Sequence, residues 1–132
     1  MSQDSLVDAE FEAEILALFD RWNAALASGD PDRVAQKFAA EGVLLPTMSN
    51  EMRRDHAGIR DYFEGFMKLK PQGEIEQHYV RRYGDIAINS GTYKFTFGNG
   101  DQVRARYTFI YRWDGDRWLI VEQHSSAMPE KD

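Results

Sequence analysis

Apolar residues in the first part of the chain recur at helical spacing. Phe11, Ile15, Leu18, Trp22 and Leu26 follow at intervals of four, three, four and four, which puts one apolar stripe along one side of an α-helix. Asp8, Glu10, Glu12 and Glu14 crowd its start, where the helix dipole favours negative charge. Ser28-Gly29 predicts the stop, because glycine takes the left-handed C-terminal position at little cost. Asp30-Pro31 reads as the N-cap and first residue of a short second helix, with Val34 and Phe38 on its buried side and a break near Glu41-Gly42. Val43-Leu44-Leu45 predicts a short strand ended by Pro46, and the polar stretch 47–55 a loop. A third helix is predicted over about 58–69, with Ile59, Tyr62, Phe63, Phe66 and Leu69 on its apolar side and Pro71-Gln72-Gly73 closing it.

The rest of the chain alternates at the period of two that marks strands. Runs 74–83, 86–97, 102–113 and 117–126 are separated by Gly84-Asp85, Gly98-Asn99-Gly100-Asp101 and Asp114-Gly115-Asp116, the turn chemistry of antiparallel hairpins. Helices followed by a meander predict an α+β fold, three helices on a strongly curved antiparallel sheet. In the third run Val103, Ala105, Tyr107, Phe109, Tyr111 and Trp113 share one face, and Arg104, Arg106, Thr108, Ile110 and Arg112 the other. In the second, Asn89, Gly91, Tyr93, Phe95 and Phe97 oppose Ser90, Thr92, Lys94 and Thr96. The aromatic face is expected to carry the helices.

The last run can be read two ways. A three-residue turn at Asp114-Gly115-Asp116 pairs Trp113 with Arg117 and puts Trp118, Ile120, Glu122 and His124 on the Arg/Thr face. A two-residue turn inverts the strand. The first register is favoured, and it gives the outer face an amphipathic centre of Ile110, Trp118 and Ile120 among Arg104, Arg106, Glu122 and His124, as expected of a subunit interface.

Composition narrows the classes. The 132 residues are 42% hydrophobic and 13% aromatic, enough for one domain (1–132, ordered over about 8–129) with its own core. No cysteine is present, which excludes a disulfide, a thiol nucleophile and a Cys-ligated metal. A net charge of −6 argues against nucleic-acid binding. No apolar run approaches the ~20 residues of a bilayer span, and the N-terminus has no secretion signal, so a cytoplasmic protein with no membrane association is expected.

Several stretches carry a resemblance. The first helix ends in Ala25-Leu26-Ala27-Ser28-Gly29-Asp30, the third contains Arg60-Asp61-Tyr62-Phe63-Glu64, Asp114-Gly115 precedes Trp118-Leu119-Ile120-Val121, and the chain closes with His124-Ser125-Ser126-Ala127-Met128-Pro129. These resemble the nuclear transport factor 2-like, cystatin-like cone superfamily over about 12–129, and within it the association, or hub, domain of calcium/calmodulin-dependent protein kinase II and stand-alone bacterial polyketide-cyclase-like relatives. The resemblance implies a cone with a central pocket and dimers formed through the open sheet face, often assembled into rings. Kinase hubs line that pocket with arginines; the matching positions here are Tyr93, Phe109 and Ser125, and a hub histidine falls at Ile59. The anionic ligand site of those hubs is therefore not carried over.

The inward polar tips define the candidate pocket: Asn89, Tyr93, Tyr107 and Gln123 from the sheet and Tyr62 from the third helix, with Trp22 and Phe109 beside them. They suit a small, mostly apolar ligand oriented by hydrogen bonds, or equally core tyrosines satisfied by backbone or water. Proton-moving enzymes of this superfamily place an acid in the cone. The best-read inward faces hold none, and only an inverted last strand would bring in Glu122 with His124. No catalytic residue is therefore assigned. His56 reads as a capping or surface residue, His78 as solvated or interfacial. No histidine pair has metal-ligand spacing, so no metal and no cofactor are expected. The leading expectation is a self-associating, ligand-binding cone domain, as a homodimer or a larger ring of dimers. Its rivals are an isomerase- or cyclase-like enzyme on a hydrophobic ketone and an adaptor hub for another protein.

Overall fold

The computed structural model describes residues 7–130; the chain ends expected to be loose lie largely outside them. Helix α1 (Ala9–Ala27) starts where Asp8 accepts the Phe11 N–H at 2.8 Å, and it buries Ile15, Phe19, Trp22, Ala25 and Leu26. Gly29 follows with φ +75°. Helix α2 (Pro31–Ala35) is a single turn capped by Asp30. Phe38 is buried as expected but is not helical. It opens β1 (Phe38–Leu45), because the Ile120 N–H takes the Lys37 carbonyl at 2.9 Å and draws the chain alongside the last strand. Helix α3 (His56–Met67) is capped by Asp55, which accepts from Gly58 N–H at 2.7 Å. It stops short of Leu69, which is exposed rather than apolar-packed.

Strands β2 (Gln72–Tyr83), β3 (Ile86–Thr96), β4 (Gln102–Trp113) and β5 (Trp118–Ala127) form the expected meander. The sheet order is β1-β5-β4-β3-β2. β1 closes the far edge by pairing parallel to β5, with its register interrupted between Phe38 and Val43. All three helices cover one side. Their apolar faces meet Ala87, Tyr93, Phe95, Ala105, Tyr107, Phe109 and Tyr111 in a single core, as the alternation predicts. Only the strand tips Val103 and Trp113 escape, 38% and 37% exposed.

The last strand follows neither expected register. The turn takes four residues, so Trp113 pairs with Trp118, and the Asp114 carboxylate accepts the Asp116 and Arg117 N–H groups at 2.9 Å. A bulge at Val121, opposite the Ile110/Tyr111 step, then reverses the alternation. Trp118 and Ile120 therefore point inward, 8% and 2% exposed, while beyond the bulge Gln123 and Ser125 are inward and Glu122 and His124 outward. Trp118 meets Phe11 edge-on at 5.8 Å, lies below the Arg82 guanidinium and donates its indole N–H to Glu14 at 3.2 Å.

Candidate functional site

Two surfaces carry the candidate chemistry. The first is a cavity of about 150 Å³ between α3, the segment after β1 and the inner face of the sheet. The i, i+3, i+4, i+7 spacing of α3 sends Ile59 and Phe63 into the core and leaves Tyr62 and Phe66 stacked beside it, ring centres 5.8 Å apart. Trp22 of α1 closes one side, Phe95 and Tyr93 the floor, and Pro46, Thr47 and Met48 the other wall.

Of the pocket residues expected from the sequence, Trp22, Tyr62, Tyr93 and Gln123 line this cavity. Asn89, Tyr107 and Phe109 do not; they belong to the packed core under α1. Tyr107 Oη donates to Asn89 Oδ1 at 2.8 Å, and Phe109 is covered by Phe19 and Trp22 at 6.1 and 5.5 Å. The reason is placement along the strands: α1 runs over that end of β3 and β4, so no space remains above it. Ser125 and Thr47 complete the site. Tyr93 Oη donates to Ser125 Oγ at 2.7 Å, and Thr47 Oγ1 lies 2.7 Å from the same oxygen. Strand alternation had already turned Ser125 inward; nothing in the polar stretch 47–55 marks Thr47.

The site is uncharged. No carboxylate, imidazole, ammonium or guanidinium is among its walls. Burial pushes the Tyr93 phenol up to about 12, against the opposing hydrogen bonds from Ser125 and Gln123. Burial does the same to Tyr62, also to about 12, partly offset by the Arg53 guanidinium 5.7 Å from its ring centre. Both hydroxyls are therefore neutral hydrogen-bonding groups at physiological pH. Among the described residues no group of His, Asp and Glu is arranged to hold a metal ion.

The second surface is the outer side of the sheet, which no helix among the described residues covers. Ile110 pairs across the strands with Ile88 and Glu122, and Thr108 with Ser90 and His124. Arg106 donates to Ser126 at 3.3 Å and Arg104 pairs with Glu76 at 2.9 Å. Of the expected interface residues, Arg104, Arg106, Ile110, Glu122 and His124 lie here. Trp118 and Ile120 do not, since the four-residue turn puts both on the inward face beside Trp113 and Tyr111. Ile88 takes their place as the apolar partner of Ile110.

The remaining histidines are structural. His56 Nε2 lies 2.9 and 3.2 Å from the carbonyls of Phe38 and Ala39; both are acceptors, so this nitrogen carries the proton. It ties the start of α3 to the irregular part of β1. His78 reaches Glu12 of α1 at 3.4 Å. Glu122, which only an inverted last strand would bring inward, faces outward on β5, away from the cavity.

Helices on one side of a curved five-stranded sheet, with a cavity beneath α3, define an α+β cone of the nuclear transport factor 2-like, cystatin-like class. A nuclear transport factor 2-like protein of unknown function from Pseudomonas putida KT2440 superposes with TM-score 0.80 at 22% identity, over 95% of this chain and 92% of that one. A protein with a cystatin-like fold from Nostoc punctiforme does so with TM-score 0.79 at 15% identity, over 94% and 96%. Within that class, the chain belongs to the calcium/calmodulin dependent protein kinase II association domain family, whose signature matches residues 11–129. A Xanthomonas campestris structure named for the same association domain is 50% identical, with TM-score 0.86, over 89% of this chain and 88% of that one. No curated protein matches the sequence.

Proposed function

We propose that this chain is a self-association domain whose copies pair through the uncovered sheet face, and that the cavity beneath α3 takes a small, mostly apolar ligand. The observation that carries the reading is the Ile88–Ile110 pair at the centre of a sheet face that no part of the described chain covers. A two-fold interface must be complementary to itself. This face supports that requirement by carrying an apolar centre with both charge signs around it, Arg104 and Arg106 against Glu122. Membership of an association-domain family points the same way. The ligand part rests on a cavity walled almost wholly by aromatic and aliphatic side chains, with hydroxyl tips to orient a guest.

Size-exclusion chromatography with light scattering tests the assembly. The protein is expected to elute as a dimer or a ring of dimers at micromolar concentration. Ile110→Glu is expected to give a folded species of smaller mass, because it sets a second carboxylate directly opposite Glu122 and takes both out of water on assembly. A wild-type protein that is monomeric at that concentration would refute the reading.

A further inference from the structure

The hydroxyl and amide chain in the cavity wall leaves protons without acceptors, which deepens the ligand reading above and rests on it. Gln123, Tyr93, Ser125 and Thr47 follow one another along its wall: the Gln123 amide lies where it lowers the Tyr93 pKa as a hydrogen-bond donor would, and Tyr93 and Thr47 both meet Ser125 Oγ at 2.7 Å. The amide brings two protons and each hydroxyl one, five together, and the three contacts use three of them. Two stay unused whichever way the hydroxyls rotate and whichever way round the amide sits. The Trp22 indole N–H, in the same cavity wall, has no acceptor either, and the buried Gln123 Oε1 receives no donor.

A buried proton without an acceptor costs more than an unused lone pair. Tyr93 and Gln123 are nearly dry, 1% and 3% exposed, whereas Ser125 is 8% exposed and Thr47 is half-buried. The least costly arrangement therefore satisfies the inner groups and leaves the spare hydroxyl proton at the Thr47–Ser125 end. The walls offer no cation to an anion, and a carboxylate would lose its hydration here without compensation. The volume, about 150 Å³, is that of a cavity known to hold one benzene ring.

We propose that the cavity takes an uncharged molecule of about one six-membered ring bearing a hydrogen-bond acceptor oxygen, such as a ketone, ester or lactone carbonyl, held by the hydroxyl proton of the Thr47–Ser125 pair. The test uses full-length protein and two rings of one shape: carbonyl-labelled cyclohexanone, and methylenecyclohexane, which has a CH2 group in place of the oxygen. NMR titration is expected to show both binding, with the ketone carbonyl carbon shifted downfield from its position in hydrocarbon solvent. In the double variant Thr47→Val/Ser125→Ala, ketone affinity is expected to fall about two- to tenfold while the alkene is unaffected. The carbonyl shift is read in the wild-type protein and does not depend on the variant's folding. Binding of the ketone with its carbonyl at the hydrocarbon position overturns the acceptor inference and leaves the apolar cavity standing. Binding of neither ring overturns both.

Discussion

Gly91 and Gly65 turn one chemical change into two opposite outcomes. Gly91 lies on β3 opposite His78, next to the irregular step in β2, where the register shifts between Ile75 and Gln77. A Cβ added there would sit 1.9 Å from the Gln77 carbonyl oxygen, 2.7 Å from its carbon and 3.0 Å from His78 Cα. All three are backbone atoms, so no rotamer change relieves the contact. The strands must part by about an ångström, weakening the nearby ladder hydrogen bonds at roughly 1 kcal/mol each and disturbing the packing of Tyr107, which faces Gly91 across the sheet. Overpacking of this kind costs 1–3 kcal/mol, and a backbone clash belongs at the upper end. Gly91→Ala is therefore expected to cost about 3 kcal/mol. Gly65, in the last turns of α3, has no atom within 4 Å of its ideal Cβ. There alanine only restricts the unfolded chain, so Gly65→Ala is expected to stabilise by about 0.5–1 kcal/mol. Urea denaturation of both variants, with m-values checked against wild type, measures the pair. Equal effects, or a Gly91→Ala cost below about 0.5 kcal/mol, would show that the β2 irregularity does not press on β3 as described.

The Tyr93 phenol gives a pH signature: between its ordinary value of 10 and its buried value of about 12, the unfolded chain releases a proton that the folded one keeps. Its contribution is complete below pH 10 and declines as pH rises through that window, by roughly 3 kcal/mol in all; urea melts of wild type and Tyr93→Phe across the window are expected to converge by that amount, and parallel curves would refute the burial argument. Trp118→Ala is expected to destabilise the fold by about 3–5 kcal/mol without changing the mass of the assembly that remains folded; an unchanged melt with a smaller assembly would return Trp118 to the outer face. His56→Ala removes the N–H held by the Phe38 and Ala39 carbonyls and is expected to cost about 1 kcal/mol, measured by thermal melting, with no effect on ligand binding.

The sequence by itself determined what depends on neighbours along the chain. The stripe of α1 and its acidic start, the Asp30 cap, the sites of the hairpin turns and the inward faces of β3 and β4 are all local periodicity or local hydrogen bonding, and all but the length of the last turn stand in the structure. The family resemblance rests on the same local stretches. The tertiary structure alone decided the rest. The parallel pairing of β1 with β5 joins residues about eighty apart and left no mark in either segment. The Val121 bulge has no glycine or turn signal. The fourth residue of the last turn put Trp118 and Ile120 in the core instead of an expected interface, and the bulge then kept Glu122 and His124 outward. The cavity shifted for a similar reason. Alternation told which side chains face the helices, but only the path of α1 over the sheet decided that Asn89, Tyr107 and Phe109 are packed solid while Tyr93, Gln123 and Ser125 border open space with Thr47.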